Sequence, residues 1–392
     1  MRIVHLADLH LGIRVYGFSL LDDQKHILNQ ILEKIEQIGP QAVLICGDVY
    51  DKAQPSSTAV SLLDDFFRRL LQCGCEVLVI PGNHDSAERL AFGAAIFRHQ
   101  GLHIAGPFAG RPEIVTLQDA AGEVDFVLLP FLRPAVVRPF AGNEDINTAA
   151  AAVKFALSQI DYRPGRRYVL LAHQFAVAGG SLPQQSESEM IYAGGIESVD
   201  ISLFEPFSYV ALGHLHKPQR MGQNHIRYAG SPLKYSFSES KPDKILLQID
   251  LPGTGDAICT EHPLRPLHDL RVLRGAFADL MAEGAQLLSA DDRTRFDYLK
   301  VVLTDDDVLV DPLPNLRQYY PHIMQMQLEK AGHDPIEVAQ EIDGDDLIST
   351  TPGEMFARFY SSRTGKEFRQ EDVKILQRLE IKGSSELQGA EQ

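Results

Sequence analysis

The sequence predicts an α/β fold of two packed mixed sheets flanked by helices, with a smaller α/β domain and a C-terminal helical pair after it. Three observations carry this expectation. The first 80 residues alternate short apolar runs with stretches of helical periodicity. The next 170 or so (about two-fifths of the chain) are richer in strand-like runs. Near residues 262 to 275 the texture changes, where Pro263 and Pro266 interrupt the pattern.

The elements follow in order. Ile3 to Ala7 is a short apolar run and reads as a strand. Asp22 to Ile38 repeats Ile27, Ile31, Ile35 and Ile38 on one side of a helix. Ala42 to Cys46 is a second buried strand, Ser56 to Leu71 a helix preceded by Pro55, and Val77 to Ile80 a third strand. This βαβαβ order implies a layered core with much parallel pairing. Further strands are expected at Ile114 to Leu117, Val124 to Leu129, Tyr168 to Ala172, Tyr209 to Leu212, His225 to Ala229 and Lys244 to Ile249. The smaller domain should hold a helix at Phe277 to Leu288, a strand at Tyr298 to Leu303, a helix at Leu313 to Tyr320 and a strand at His322 to Leu328. The expected boundaries are 1–265 for the first domain, 266–331 for the second, 332–350 for an acidic linker around Asp343, Asp345 and Asp346, and 351–392 for the tail.

In the tail, Thr351-Pro352-Gly353-Glu354 reads as a capping box with Pro at the first helical position. Met355, Phe356, Phe359 and Tyr360 then share one side of a helix, and Val373, Leu376 and Leu379 one face of a second. Such faces either fold back on the smaller domain or dock on partner helices.

Composition sets limits. Apolar residues make up 44% and charged residues 23%, as in folded globular proteins. No run of about 18 apolar residues exists to span a membrane. Met1 to Leu6 meets Asp8 too soon for a leader peptide, so the expected compartment is the cytoplasm. Cys46, Cys73, Cys75 and Cys259 have neither zinc-ribbon spacing nor a dense disulfide pattern. The net charge of −16 argues against gripping nucleic acid by a basic face alone. Divalent cations in a site, or a basic partner subunit, would offset it.

Five short motifs carry the chemistry: Asp8-Leu9-His10, Gly47-Asp48-Val49-Tyr50-Asp51, Gly82-Asn83-His84-Asp85, Ala172-His173 and Gly213-His214-Leu215-His216. Each sits at the end of a strand-like run, and in open α/β sheets sites form outside the carboxyl ends of strands. Carboxylates and an amide oxygen suit manganese or magnesium, and imidazoles pull toward manganese, iron or zinc. A lone Gly-Asp or His-x-His is weak, because single histidines are more often structural, Asp8 suits a solvated strand end and Asn83 a turn beside Gly82. Five in this order, all at strand ends, are hard to explain that way. His5, His26, His99, His103 and His225 lack such context and read as structural or surface residues.

The order D-x-H, G-D-x-x-D, G-N-H-D, H, G-H-x-H resembles that of the calcineurin-like metallophosphoesterases. Within them the chain is similar to the SbcD family, the bacterial branch of the Mre-type double-strand-break-repair nucleases. Ala7-Asp8-Leu9-His10-Leu11-Gly12, Pro130-Phe131-Leu132-Arg133-Pro134, Tyr209 to His216 and Tyr228-Ala229-Gly230-Ser231-Pro232 extend the resemblance through about residue 240. The resemblance implies two divalent ions, best fitted by manganese. Asp8, His10, Asp48 and His216 would hold the first; Asp48, Asn83, His173 and His214 the second, with Asp48 bridging. His84 would face the scissile phosphate without binding metal, and Asp51 would hydrogen-bond and orient it; some relatives carry His in place of Asp51. It further implies exonuclease action on duplex DNA ends, endonuclease action on single strands and hairpins, an SbcC-type coiled-coil ATPase partner and a homodimer. Residues 1–265 would be the nuclease domain, 266–331 a DNA cap and 351–392 the ATPase-docking helices.

Two other functions compete. A phosphoesterase acting on a nucleotide, lipid or protein phosphate shares the motifs, but needs neither the Phe131-Leu132-Arg133-Pro134 block nor the cap-sized domain. A non-catalytic scaffold would not need seven intact ligands and His84.

Overall fold

The computed structural model describes residues 1–329 apart from 143–144, 180–181, 187–188, 190–197, 242 and 307–308, together with the backbone of Ile336–Gln340. The chain divides into two units. One comprises Met1–Val15 and Ser19–Leu270; the other comprises Tyr16–Phe18 and the chain from Arg271 onward.

The first unit holds two six-stranded sheets. One runs Ile258–Pro263, Ile245–Asp250, Arg2–Leu6, Ala42–Cys46, Glu76–Ile80, Leu102–Ile104; the last four strands are parallel. The other runs Gln219–Arg220, Ile226–Tyr228, Tyr209–Gly213, Arg167–His173, Gly122–Leu129, Glu113–Asp119, with the middle four parallel. The period of two along each strand divides its side chains between two cores. Phe126, Leu128, Val169, Leu171, Tyr209 and Ala211 meet Ile3, Leu44 and Leu78 of the first sheet, so the sheets face each other. Val127, Leu129, Leu170, Val210 and Leu212 point the other way, onto the Ala149–Ser158 helix. The expected face-to-face pair of sheets is therefore present. That helix was not anticipated: its alanine run gives little periodicity, and Thr148 caps it by accepting the Ala151 N–H at 3.1 Å.

The early helices follow the sequence closely. Leu21–Ile38 buries Ile27, Leu28, Ile31, Leu32 and Ile35, and stops at Gly39, whose left-handed φ of 59° suits glycine. Ser57–Gln72 is capped by Ser56. No helix among the described residues is long and apolar enough to cross a membrane.

The second unit has a four-stranded sheet in the order Leu270–Gly275, Tyr298–Leu303, Ile323–Leu328, Ile336–Gln340. Leu280 of the Phe277–Ser289 helix packs with Leu299, Val301, Leu316, Tyr320 and Met326. Two expectations need correcting. The helix forecast to Tyr320 ends at Arg317, because Tyr320 precedes Pro321 and the residue before proline disfavours helical dihedrals. Ile336–Gln340, inside the stretch expected as linker, is a strand antiparallel to Ile323–Leu328. Residues 341–392, including the forecast helical pair, lie outside the described residues.

Candidate metal centre

The register of the parallel strands lines up their carboxyl ends. Leu6 pairs with Ile45, Cys46 with Ile80, and His173 with Gly213. Asp8, Asp48, Asn83, His173 and His214 therefore leave their sheets at one edge. The chain is bent hard there: Asp8 (φ 54°), His10 (φ 42°), Asp48 (φ 47°) and His214 (φ 101°) are non-glycine residues at positive φ. Such strain, about 1–3 kcal/mol per residue, persists where surrounding structure enforces it and concentrates at functional sites. Two motif glycines have a steric reason. A Cβ on Gly82 would lie 2.2 Å from Asp48 Oδ1, and one on Gly213 would lie 1.9 Å from the Cys46 carbonyl oxygen.

At one end of the site, His10 Nε2 faces His216 Nε2 at 3.2 Å. Asp8, His10 and His216 each offer a ligand atom within 4.8 Å of the others. Asp8 Oδ1 accepts the His214 N–H at 2.9 Å, while Asp8 Oδ2 is buried with no hydrogen-bond partner among the described residues. His216 is held from behind: its Nδ1 lies 3.4 Å from Glu239 Oε1, and Glu239 in turn accepts from Lys244 Nζ at 2.5 Å. Lys244 Nζ also donates to the His216 carbonyl and to Ser231 Oγ, each at 2.8 Å. Glu189 accepts the His216 N–H at 2.6 Å. Tyr235 packs edge-on against both His10 and His216 and donates to the Leu9 carbonyl at 2.7 Å.

At the other end, Asn83 Oδ1 lies 3.1 Å from His173 Nε2 and 3.0 Å from His214 Nδ1. His173 Nδ1 donates to the Cys46 carbonyl at 2.8 Å, so Nε2 carries the lone pair whenever the ring is neutral, as it must be to bind a cation. That atom faces two acceptors, Asn83 Oδ1 and Asp48 Oδ2, the latter at 3.1 Å. Three lone-pair atoms converging on one point fit a cation. Asp48 Oδ2 also lies 3.7 Å from His10 Nε2, so one carboxylate oxygen reaches both ends, as a bridging ligand must. Phe131 covers this end, nearly parallel to His214 (19°, centroids 6.4 Å apart) and edge-on to His173.

His84 projects beside His10 and Asp48. Its backbone N–H binds Asp48 Oδ1 at 2.9 Å, and its Nδ1 donates to the backbone carbonyl of Asp51 at 2.8 Å. The expected role of Asp51 thus needs revising in its atoms: the main-chain oxygen orients His84, while the carboxylate lies 3.9 Å from His10 Nδ1. Asp85, quoted in its motif without a role, ties two loops together by accepting the N–H groups of Val49, Tyr50 and Gly82 at 2.9–3.0 Å.

Burial sets the electrostatics. It pushes the Asp8 carboxyl up to about 7, against the pull of His173 and His216. Burial pushes His10 well down and lowers His214 to about 3. Burial also opposes charge on His173 and Asp48, but their mutual attraction wins: His173 rises to about 9 and Asp48 stays well below the usual carboxylate range. A cation in this cluster would replace the protons that Asp8 and His173 otherwise retain.

The structure brings together all nine residues expected in the site. It does not draw in His5, which is buried against Tyr209, or His103, which pairs with Glu76. Sequence reasoning missed Glu239, Lys244, Glu189 and Tyr235, which stand in no recognisable spacing.

Residues 1–218 match the calcineurin-like phosphoesterase family, and residues 266–364 match a domain described as the type 5 capsule protein repressor C-terminal domain, SbcD_C. The SbcD subunit of the SbcCD nuclease of Staphylococcus epidermidis is 33% identical over 329 residues, covering 83% of this chain and 85% of the relative. The chain belongs to the SbcD family of calcineurin-like phosphoesterases. A crystal structure of a dimetal phosphatase from Danio rerio aligns at a TM-score of 0.37 and 11% identity, covering 67% of this chain and 96% of that one.

Proposed function

We propose that this chain is the metal-dependent nuclease subunit of an SbcCD-type complex and hydrolyses phosphodiester bonds of DNA in repair and recombination. The observation that carries the chemistry is Asp48 Oδ2, placed 3.1 Å from His173 Nε2 and 3.7 Å from His10 Nε2, where one carboxylate serves both ends of a ligand cluster. Family membership with an SbcD nuclease as relative supports DNA as substrate. Two divalent cations, when bound, supply Lewis-acid stabilisation of the phosphate and a water acidified to near neutral pH. Asp8, His10, Asp48 and His216 are assigned to one, and Asp48, Asn83, His173 and His214 to the other; the mixed oxygen and imidazole set favours manganese.

The chain's own contribution is orientation and one proton. With Nδ1–H of His84 committed to the Asp51 carbonyl, Nε2 is the other ring nitrogen, and when the ring carries a proton on both nitrogens its Nε2–H can pass to a leaving oxygen or donate to the phosphate in the transition state. Glu239 keeps His216 in one tautomer, as carboxylates do for metal-binding imidazoles.

The finer assignments rest on the family. They are exonuclease action on duplex ends, endonuclease action on single strands and hairpins, a DNA cap at 266–331, docking of a coiled-coil SbcC-type ATPase through 351–392, and a cytoplasmic location. The homodimer has local support: Phe92 and Ile96 are 84% and 70% exposed within five residues of each other, beside the partly exposed Phe97. Ile96→Asp is expected to give a monomer by analytical ultracentrifugation.

The function is tested by incubating the purified chain and Mn2+ with a linear single-stranded oligonucleotide, beside p-nitrophenyl phosphate. Cleavage of the oligonucleotide that EDTA abolishes is expected. Turnover of the monoester alone would make the chain a small-substrate phosphatase.

A further inference from the structure

We infer that Arg133 forms a second phosphate subsite, which holds the DNA backbone next to the scissile bond. The inference rests on the nuclease reading above and adds to it where a flanking phosphate is gripped. The Pro130-Phe131-Leu132-Arg133-Pro134 block takes no part in the ligand cluster, yet it is built onto it. The Phe131 N–H donates to the Pro81 carbonyl at 3.1 Å, which fastens the block to the loop carrying Asn83 and His84. The Phe131 ring lies nearly parallel to His214, with centroids 6.4 Å apart. The Arg133 guanidinium carbon sits 5.4 Å from the centroid of the same ring. His214, Phe131 and Arg133 therefore form a short stack that starts at a metal ligand and ends in a cation.

The cation is exposed, and among the described residues it has no hydrogen bond or ion pair. That is notable in a chain of net charge −16, where other arginines near acidic groups are paired, such as Arg166 with Asp125 and Arg167 with Asp119. Its base is also fixed. Leu132 is buried, and Arg133 is held extended (φ −104°, ψ 150°) by the following Pro134, which opens a short helix anchored by the buried Val137. A planar guanidinium stacked on an aromatic face keeps its N–H groups outward for a phosphate. The two steps of the stack are short, so a strand with one phosphate at the ligand cluster brings a neighbouring phosphate within reach of Arg133. The site is a positioning device: it touches the strand, not the reacting atoms.

The test compares the wild-type chain with Arg133→Ala and Arg133→Lys in Mn2+. Two substrates are used, a single-stranded oligonucleotide and bis(p-nitrophenyl) phosphate, and the oligonucleotide series is repeated across a salt range. Arg133→Ala should raise KM for the oligonucleotide by roughly three- to tenfold with a smaller change in kcat. It should also lower the slope of log affinity against log salt by about 0.7, the share of one single-strand phosphate. The ratio of kcat/KM between oligonucleotide and small diester should fall by the factor by which KM rises multiplied by any fall in kcat. Arg133→Lys should recover the salt slope, because it keeps the charge; a merely structural role would leave that slope unmoved in all variants. An unchanged KM and salt slope in Arg133→Ala, with the wild type cleaving the oligonucleotide, overturns the subsite. A wild type that hydrolyses the small diester but never the oligonucleotide overturns the nuclease reading and the subsite with it.

Discussion

The two ends of the ligand cluster are held by different physics. His216 leans on Glu239, which is paired with the buried Lys244, itself bound to Ser231, so that end depends on a charged network built within residues 216–244. His173 leans on the Cys46 carbonyl, and His214 on Asn83 and the Phe131 ring, so that end depends on the path of the backbone and on packing. The first end is therefore open to failure by loss of the single carboxylate behind His216. The second is sensitive to anything that moves the strands or the Phe131 ring. Asp48 belongs to both.

That contrast orders the expected effects. Asp48→Asn acts at both ends and should abolish Mn2+-dependent cleavage, by at least about a thousandfold, with the fold intact by circular dichroism. Near wild-type turnover in this variant would remove the shared-ligand assignment. His84→Gln spares both ends. It should keep two ions by calorimetric titration and lose roughly 10²–10⁴-fold in turnover. Loss of an ion with activity would place His84 among the ligands.

Glu239→Gln should divide the ends from each other. It is expected to weaken one of two manganese binding steps by about 10–100-fold and leave the other near its wild-type value. Equal weakening of both steps would show that the two ends are supported as one. The smallest change belongs to Asp51→Ala. Its main-chain carbonyl, the atom that accepts from His84, remains in the variant. Turnover should fall by less than about tenfold, and a loss as large as that of His84→Gln would make the carboxylate the orienting group.

Much of the candidate site was legible because each expected ligand ends or follows a short buried strand such as Ala42–Cys46 or Tyr209–Gly213, and carboxyl ends of parallel strands meet at one edge. The supports were not. Glu239 and Lys244 look like ordinary surface charges in the sequence, and only tertiary folding places them behind His216. The Asp51 role was assigned to a carboxylate because sequence names side chains, whereas the acceptor is a main-chain oxygen that any residue carries. In the second unit the alternation of Ile336-Glu337-Val338 was outweighed by the acidic stretch after it, which hid an edge strand. The Ala149–Ser158 helix escaped for the opposite reason: a nearly uniform apolar run has no face to detect.

The most direct test of the two-ended site is the number of manganese ions bound by the wild-type chain, measured by isothermal titration calorimetry on EDTA-stripped protein. Two ions per chain are predicted, with Asp48→Asn disturbing both binding steps. A wild-type chain that binds a single ion, or none, would contradict it.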